Sequence, residues 1–181
     1  MGLRHSLEEG GQRMKVIFSH GKESGPYGQK IVQLSQVALS NGLQVESIDY
    51  QSITDPEARV VKLVEVLSTT SGPYLLVGSS MGAYVSLVAS QTVPVAGLFL
   101  LAPAVGLPGY AMQSGFQLEG VPIAICHGWS DKVVPVSNVI AFAEEHRADL
   151  HLLNSDHRMT SVLPCIRSIF ALWVDSQNNF Y

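Results

Sequence analysis

One serine stands two residues from a glycine on either side, in Gly78-Ser79-Ser80-Met81-Gly82, between an apolar run and a helical pattern. That spacing suits nucleophilic chemistry. Ser80 would occupy a sharp, strained turn that holds its hydroxyl clear of a sheet. Near side-chain-free neighbours at minus two and plus two let strand and helix approach each other. Without those flanks the same five residues would be an ordinary Gly/Ser turn. A serine hydroxyl is a weak nucleophile at neutral pH. It needs a general base, which a third group orients.

Six histidines compete to be that base. His5 lies in a polar lead-in, His146 in a charged helix end beside Glu144, Glu145 and Arg147, and His151 inside a strand-like run. His20, His127 and His157 each follow or end a strand. Loops at the carboxyl ends of parallel strands gather on one edge of a sheet, so all three can lie near Ser80 and position alone does not choose. Chain order narrows the choice, because after a nucleophile elbow the partners follow as acid and then histidine. His157 alone leaves room for an acid-bearing loop between itself and Ser80. That loop runs His127-Gly128-Trp129-Ser130-Asp131-Lys132-Val133-Val134-Pro135 and offers Asp131 as the orienting carboxylate. Asp156 is the rival, but adjacent side chains diverge, so it is badly placed to grip its neighbour's ring.

Acyl chemistry also needs two backbone N–H groups aimed at a developing oxyanion. Met81 N–H, at the start of the helix after Ser80, is one candidate. The turn Ser19-His20-Gly21-Lys22-Glu23-Ser24 should supply the other from Lys22 N–H, with His20 holding the turn. Gly21-Lys22 after a strand also imitates a phosphate loop. That motif requires Gly at 16 and Ser or Thr at 23, where this chain has Val16 and Glu23.

These groups need elements to position them. Strand patterns occur at 15–18, 43–48, 74–77, 97–101, 122–126 and 149–153. Helical patterns occur at 29–40, after Asp55-Pro56, at 81–90, 136–146 and 160–175. Ile31, Leu34, Val37 and Ala38 form the stripe of the first helix, and Val60, Leu63, Val64 and Leu67 that of the second. Strands alternating with helices predict right-handed crossovers and a mainly parallel sheet, an α/β three-layer sandwich.

Composition sets the outer bounds. The chain has 181 residues, 46% hydrophobic and 14% charged, enough for one domain with a real core and too apolar for disorder. Eleven Lys+Arg against fifteen Asp+Glu give a net charge of −4, which argues against a nucleic-acid partner. Two cysteines, Cys126 and Cys165, build no disulfide framework or zinc motif, so no metal or cofactor is expected and the compartment reads as reducing and cytoplasmic. Residues 1–13 lack the apolar stretch of a secretory signal and read as a polar lead-in. Met14 is an alternative start. Residues 66–118 contain no Asp, Glu, Lys or Arg, but Gly and Pro interrupt them repeatedly. A buried parallel sheet explains this better than a membrane span.

The His20-Gly21 turn, the Gly78–Gly82 elbow and the Asp131/His157 pair together resemble the α/β-hydrolase superfamily, over nearly the whole chain from Val16 to Val174. Within it the chain is similar to very small lidless bacterial members. The resemblance implies six strands in the order 2-1-3-4-5-6, with Ser80 as nucleophile, His157 as base and Asp131 as orienter. The sequence departs from the family pattern at Lys22, where an apolar residue is common, and at Asp156, where glycine is usual. Residues 102–120 are too short for a helical cap and predict a low apolar rim, with Tyr110, Met112 and Phe116, joined by Trp129, as substrate contacts. The shallow, open site left by this short segment suits small acyl esters or thioesters better than long lipids. The competing expectation is a hydrolase-fold protein that binds a ligand or partner with little turnover.

Overall fold

The computed structural model describes residues 13–178. Residues 1–12, which include most of the expected lead-in and His5, lie outside the described part. Six strands, β1 (Lys15–Ser19), β2 (Gln44–Ile48), β3 (Tyr74–Ser79), β4 (Gly97–Leu101), β5 (Ile123–Gly128) and β6 (Asp149–Leu153), form one sheet in the order β2-β1-β3-β4-β5-β6. Every pairing is parallel. The helices that return the chain are α1 (Gln29–Ser40), α2 (Pro56–Thr69), α3 (Met81–Ala89), α4 (Val136–His146) and α5 (Leu163–Asn178).

The central strands are apolar on both faces because helices cover both. On one face Leu76, Leu98, Leu100 and Ile125 pack under α2, α3 and α4 with Leu63, Val85 and Phe142. On the other, Val77, Phe99 and Cys126 pack under α1 and α5 with Leu34, Phe170 and Trp173. Each such side chain contributes about 1.5–3 kcal/mol on burial. This explains the charge-free stretch, and among the described residues no helix is long and apolar enough to cross a membrane.

Local signals set the helix boundaries. Asp55 caps α2 by accepting the Ala58 N–H at 2.8 Å, with Pro56 in the first turn. The buried stripe of α2 differs from the expected one. It is Arg59, Leu63 and Leu67, while Val60 and Val64 are only half-buried. The last helix also begins differently, with a 3-10 turn at Thr160–Val162 entered through Met159 at φ 54°. β5 runs two residues further than its apolar run, so His127 lies inside the sheet and does not end it.

Register brings the strand ends level. Ser19 pairs with Gly78, Ser79 with Leu101, and Gly128 with Leu153. The loops after β1, β3, β5 and β6 therefore leave from one edge.

Candidate active site

Between β3 and α3 the chain reverses through Ser80 at φ 55°, ψ −117°, a conformation that a residue with a side chain adopts only under constraint. The constraint is visible. Ser80 N–H donates to Leu101 O at 2.8 Å, and Ser80 O accepts from Ala83 N and Ala104 N at 3.0 and 3.2 Å. The flanking glycines make it possible. A Cβ on Gly78 would strike the Gly82 carbonyl and Ala83 Cα, and one on Gly82 would strike the Ser19 and His20 carbonyls.

His157 reaches Ser80 from the loop after β6. Its Nε2 lies 3.0 Å from Ser80 Oγ, and its Nδ1 lies 2.7 Å from Asp131 Oδ2. A carboxylate only accepts, so Nδ1 carries the proton and Nε2 presents a lone pair to the hydroxyl. Asp131 is fully buried and firmly held. Its Oδ1 accepts the Val133 and Val134 N–H groups at 2.8 and 2.9 Å. The two loops are joined through backbone. Trp129 N–H donates to Leu153 O, Ser130 N–H donates to Ser155 O, and a Cβ on Gly128 would strike the Ser155 and Asp156 carbonyls. Asp156 turns away from the ring and accepts from the Arg158 and Met159 N–H groups, both at 3.1 Å.

His20 and His127 are both buried and both committed elsewhere. His20 Nε2 accepts the Tyr50 N–H at 2.9 Å, so Nδ1 carries the proton and donates to Gly21 O at 2.7 Å. Burial pulls its pKa below the ordinary histidine value. His127 donates from Nε2 to Val134 O at 3.2 Å and is likewise depressed by burial. Asp131 Oδ2 sits 3.7 Å from that nitrogen and, like the Val134 carbonyl, favours the charged ring, but burial outweighs both.

The turn after β1 rests on a buried arginine. Arg59 donates to Ile53 O at 2.7 Å, His20 O at 3.2 Å and Gly21 O at 3.3 Å, and stacks over the Tyr50 ring at 5.3 Å. Tyr50 in turn exchanges a hydrogen bond with Ser19 at 3.0 Å. Gly21 O thus accepts from both His20 and Arg59. Its peptide unit is the one that carries the Lys22 N–H, so those donors fix and polarise that group. Met81 N–H opens α3 and has no intrahelical partner. Met81 directly follows Ser80, and a Cβ on Gly21 would lie 3.7 Å from the Ser80 Cβ, so the turn that carries Lys22 borders the serine.

A cleft of about 530 Å³ opens over Ser80 and His157, lined also by Lys22, Lys30, Tyr110, Val133, Arg158 and Thr160. Of the expected substrate contacts only Tyr110 is there. Phe116 is core, packed edge-on against Phe142 at 5.8 Å. Met112 packs partly buried against the same core, held by its N–H donating to Tyr84 Oη at 3.0 Å. Tyr84 Oη itself donates to Glu57 at 2.6 Å, and burial pushes its pKa up to about 12. That anchor, with Ala111 N–H donating to Glu57, ties Ala111 and Met112 down onto α2 and α3. Trp129 is exposed at the outer rim because its backbone is tied to β6. Lys30, Arg158 and Arg59 went unnoticed in the sequence. Lys30 was findable, since a helix that begins directly after the Gly-rich turn must start on the same edge. Arg59 falls four residues before Leu63, on the buried stripe, which was its only mark. Among the described residues, no three His, Cys, Asp or Glu side chains converge to hold a metal ion.

Residues 15–117 match the model of a family described as an uncharacterised protein family, UPF0227. That span holds Ser80, Lys22 and Arg59 but ends before Asp131 and His157. A solved structure from Xanthomonas campestris pv. campestris, described as a candidate hydrolase of the alpha/beta superfamily, is 31% identical. It superposes with a TM-score of 0.83, covering 91% of this chain and 99% of that one. Mouse alpha/beta hydrolase domain-containing protein 10 is 21% identical, with a TM-score of 0.73 and 90% of each chain covered. Est1E from Butyrivibrio proteoclasticus, described with ferulic acid bound, is 14% identical at a TM-score of 0.74, covering 95% and 92%. These last two likenesses are of fold. No curated protein matches the chain in sequence.

Proposed function

The chain belongs to the UPF0227 family, within the α/β-hydrolase superfamily, and on that premise we propose that it is a serine hydrolase cleaving small carboxylic esters or thioesters through an acyl-enzyme. One observation carries the reading: the unbroken hydrogen-bonded chain from Ser80 Oγ through His157 to Asp131, at the floor of an open cleft.

In this mechanism Ser80 Oγ attacks the ester carbonyl carbon while its proton passes to His157 Nε2. The imidazolium is stabilised by Asp131, whose other oxygen is already held by two N–H groups. The carbonyl oxygen becomes an oxyanion and takes hydrogen bonds from Met81 N–H and Lys22 N–H. Collapse breaks the bond to the alcohol or thiol, which leaves with the proton from His157. Water then attacks the acyl-enzyme, giving its proton to His157. The second collapse returns that proton to Ser80 Oγ and frees the carboxylic acid.

The small-substrate part follows from the segment between β4 and β5, which forms no helix and is pinned to α2 and α3. It leaves the cleft uncapped, which suits short acyl groups better than long chains. The test pairs a fluorophosphonate probe with an ester panel of varied acyl length. The expected result is labelling that Ser80→Ala abolishes, with turnover highest on short acyl chains. Absence of labelling, or labelling that survives Ser80→Ala, would overturn the proposal.

A further inference from the structure

The cleft over Ser80 is lined by charge of mostly one sign. Lys22, Lys30 and Arg158 face it with a single acid, Glu23. The chain as a whole has net charge −4, so composition does not explain this local excess. None of the three cations forms an ion pair among the described residues.

Lys30 is the most informative of them. It is half-buried in the first turn of α1 and makes no side-chain hydrogen bond to a described residue. Burial holds its pKa below the ordinary lysine value, although Asp156 and Asp131 act from nearby to favour the charge. Neither carboxylate forms an ion pair with it among the described residues. Asp131 is committed to Val133, Val134 and His157, and the Oδ1 of Asp156 to the Arg158 and Met159 N–H groups. A partly desolvated ammonium without a partner is costly, and an anion entering from the cleft would supply the missing acceptor. Lys22 and Arg158 flank the same space, one within the donor turn and the other following the base.

We propose that the cleft selects esters or thioesters carrying a second, oxyanionic group, a carboxylate or a phosphate, with Lys30 as its principal contact and Lys22 and Arg158 as flanking charges. This rests on the hydrolase reading above. It assigns a substrate class that the fold alone does not supply.

The test compares five esters, each rate divided by its hydroxide-catalysed background. Mono-p-nitrophenyl adipate carries the anion on the acyl side. 4-Acetoxybenzoate and 4-acetoxyphenyl phosphate carry a carboxylate or a phosphate on the leaving group. p-Nitrophenyl hexanoate and phenyl acetate are the neutral counterparts. At least one anionic ester should exceed its neutral counterpart by about tenfold in kcat/KM, chiefly through KM, and the preference should fade as salt rises. Lys30→Met should bring that ratio to near one. If that variant folds poorly, Arg158→Gln, at an exposed position, should reduce the same ratio. Equal use of anionic and neutral esters overturns the proposal. So does a preference that survives Lys30→Met, Lys22→Met and Arg158→Gln, or Ser80 labelling with no turnover of any anionic ester. No labelling and no turnover of any ester instead overturns the hydrolase reading on which it rests.

Discussion

Replacing Arg59 with methionine separates positioning of the proposed oxyanion donor from the chemistry itself. The guanidinium is buried, lies outside the cleft lining and contacts three carbonyls. Gly21 O would keep the His20 Nδ1–H bond at 2.7 Å, while His20 O and Ile53 O would lose theirs. A hydrogen bond to a charged group contributes about 1.5–3 kcal/mol, so two lost bonds set an upper range of about 3–6 kcal/mol. Among the described residues the buried cation has no carboxylate partner, and removing it returns part of its desolvation cost. A net loss of about 2–4 kcal/mol is expected, read from urea denaturation. In the rate, complete loss of one oxyanion donor costs about 10²–10³. With His20 still gripping the turn, kcat should fall by about 10–10² while KM changes little, because the affected contact exists only in the transition state. A boronic acid inhibitor that mimics the tetrahedral adduct should weaken in proportion. Arg59→Lys, which keeps the charge but not the fork of donors, should fall between the two. A folded Arg59→Met protein with kcat within about threefold of the parent and unchanged boronate affinity would refute this reasoning.

Asp131→Asn should lower kcat by about 10⁴ in steady-state assays, since the amide can keep the Val133 and Val134 contacts while offering His157 Nδ1 a donor, which leaves the wrong tautomer facing Ser80. Below about pH 6.5 the unfolded chain takes up protons that folded His20 and His127 refuse, because burial depresses both pKa values from 6.5. Stability should therefore fall as pH drops from about 6.5 toward 5, by up to about 1.4 kcal/mol per unit for each ring. Urea midpoints across that range should show the slope, and His20→Gln should flatten it by one ring's share. Gly82→Ala forces a methyl into the Ser19 and His20 carbonyls and should cost about 3 kcal/mol or more, seen as a lowered melting temperature; a parental Tm would contradict the close approach described for the elbow.

Much of this architecture was legible in the residues because local and global signals agree. The stripe Ile31, Leu34, Val37 and Ala38 is the buried face of α1, and Asp55-Pro56 opens α2. The strand order follows the order that the resemblance implied. What failed did so for identifiable reasons. Phe116 and Met112 looked available because a charge-free loop reads the same whether it lines a cleft or plugs a core. The deciding contact is Tyr84 with Glu57, which lie 27 residues apart. His127 was placed at a strand end because apolar patterning stopped at Cys126, yet hydrogen bonding carried the ladder to Gly128. Arg59 was invisible because a charged residue on a helix reads as solvated unless its acceptors, here the carbonyls of a distant turn, are known.

The absent side chain at Gly128 has a mechanical meaning. With the backbones on either side of it stitched directly together, Asp131 and His157 behave as a single jaw, and Ser80 with its two flanking glycines forms the opposite one. Drift between the jaws is resisted by β4, which pairs with both β3 and β5, and is read out at the 3.0 Å contact across the gap. Substitutions scattered over the scaffold would tune turnover through that one hinge-like separation and leave the acid and its imidazole as closely matched as before.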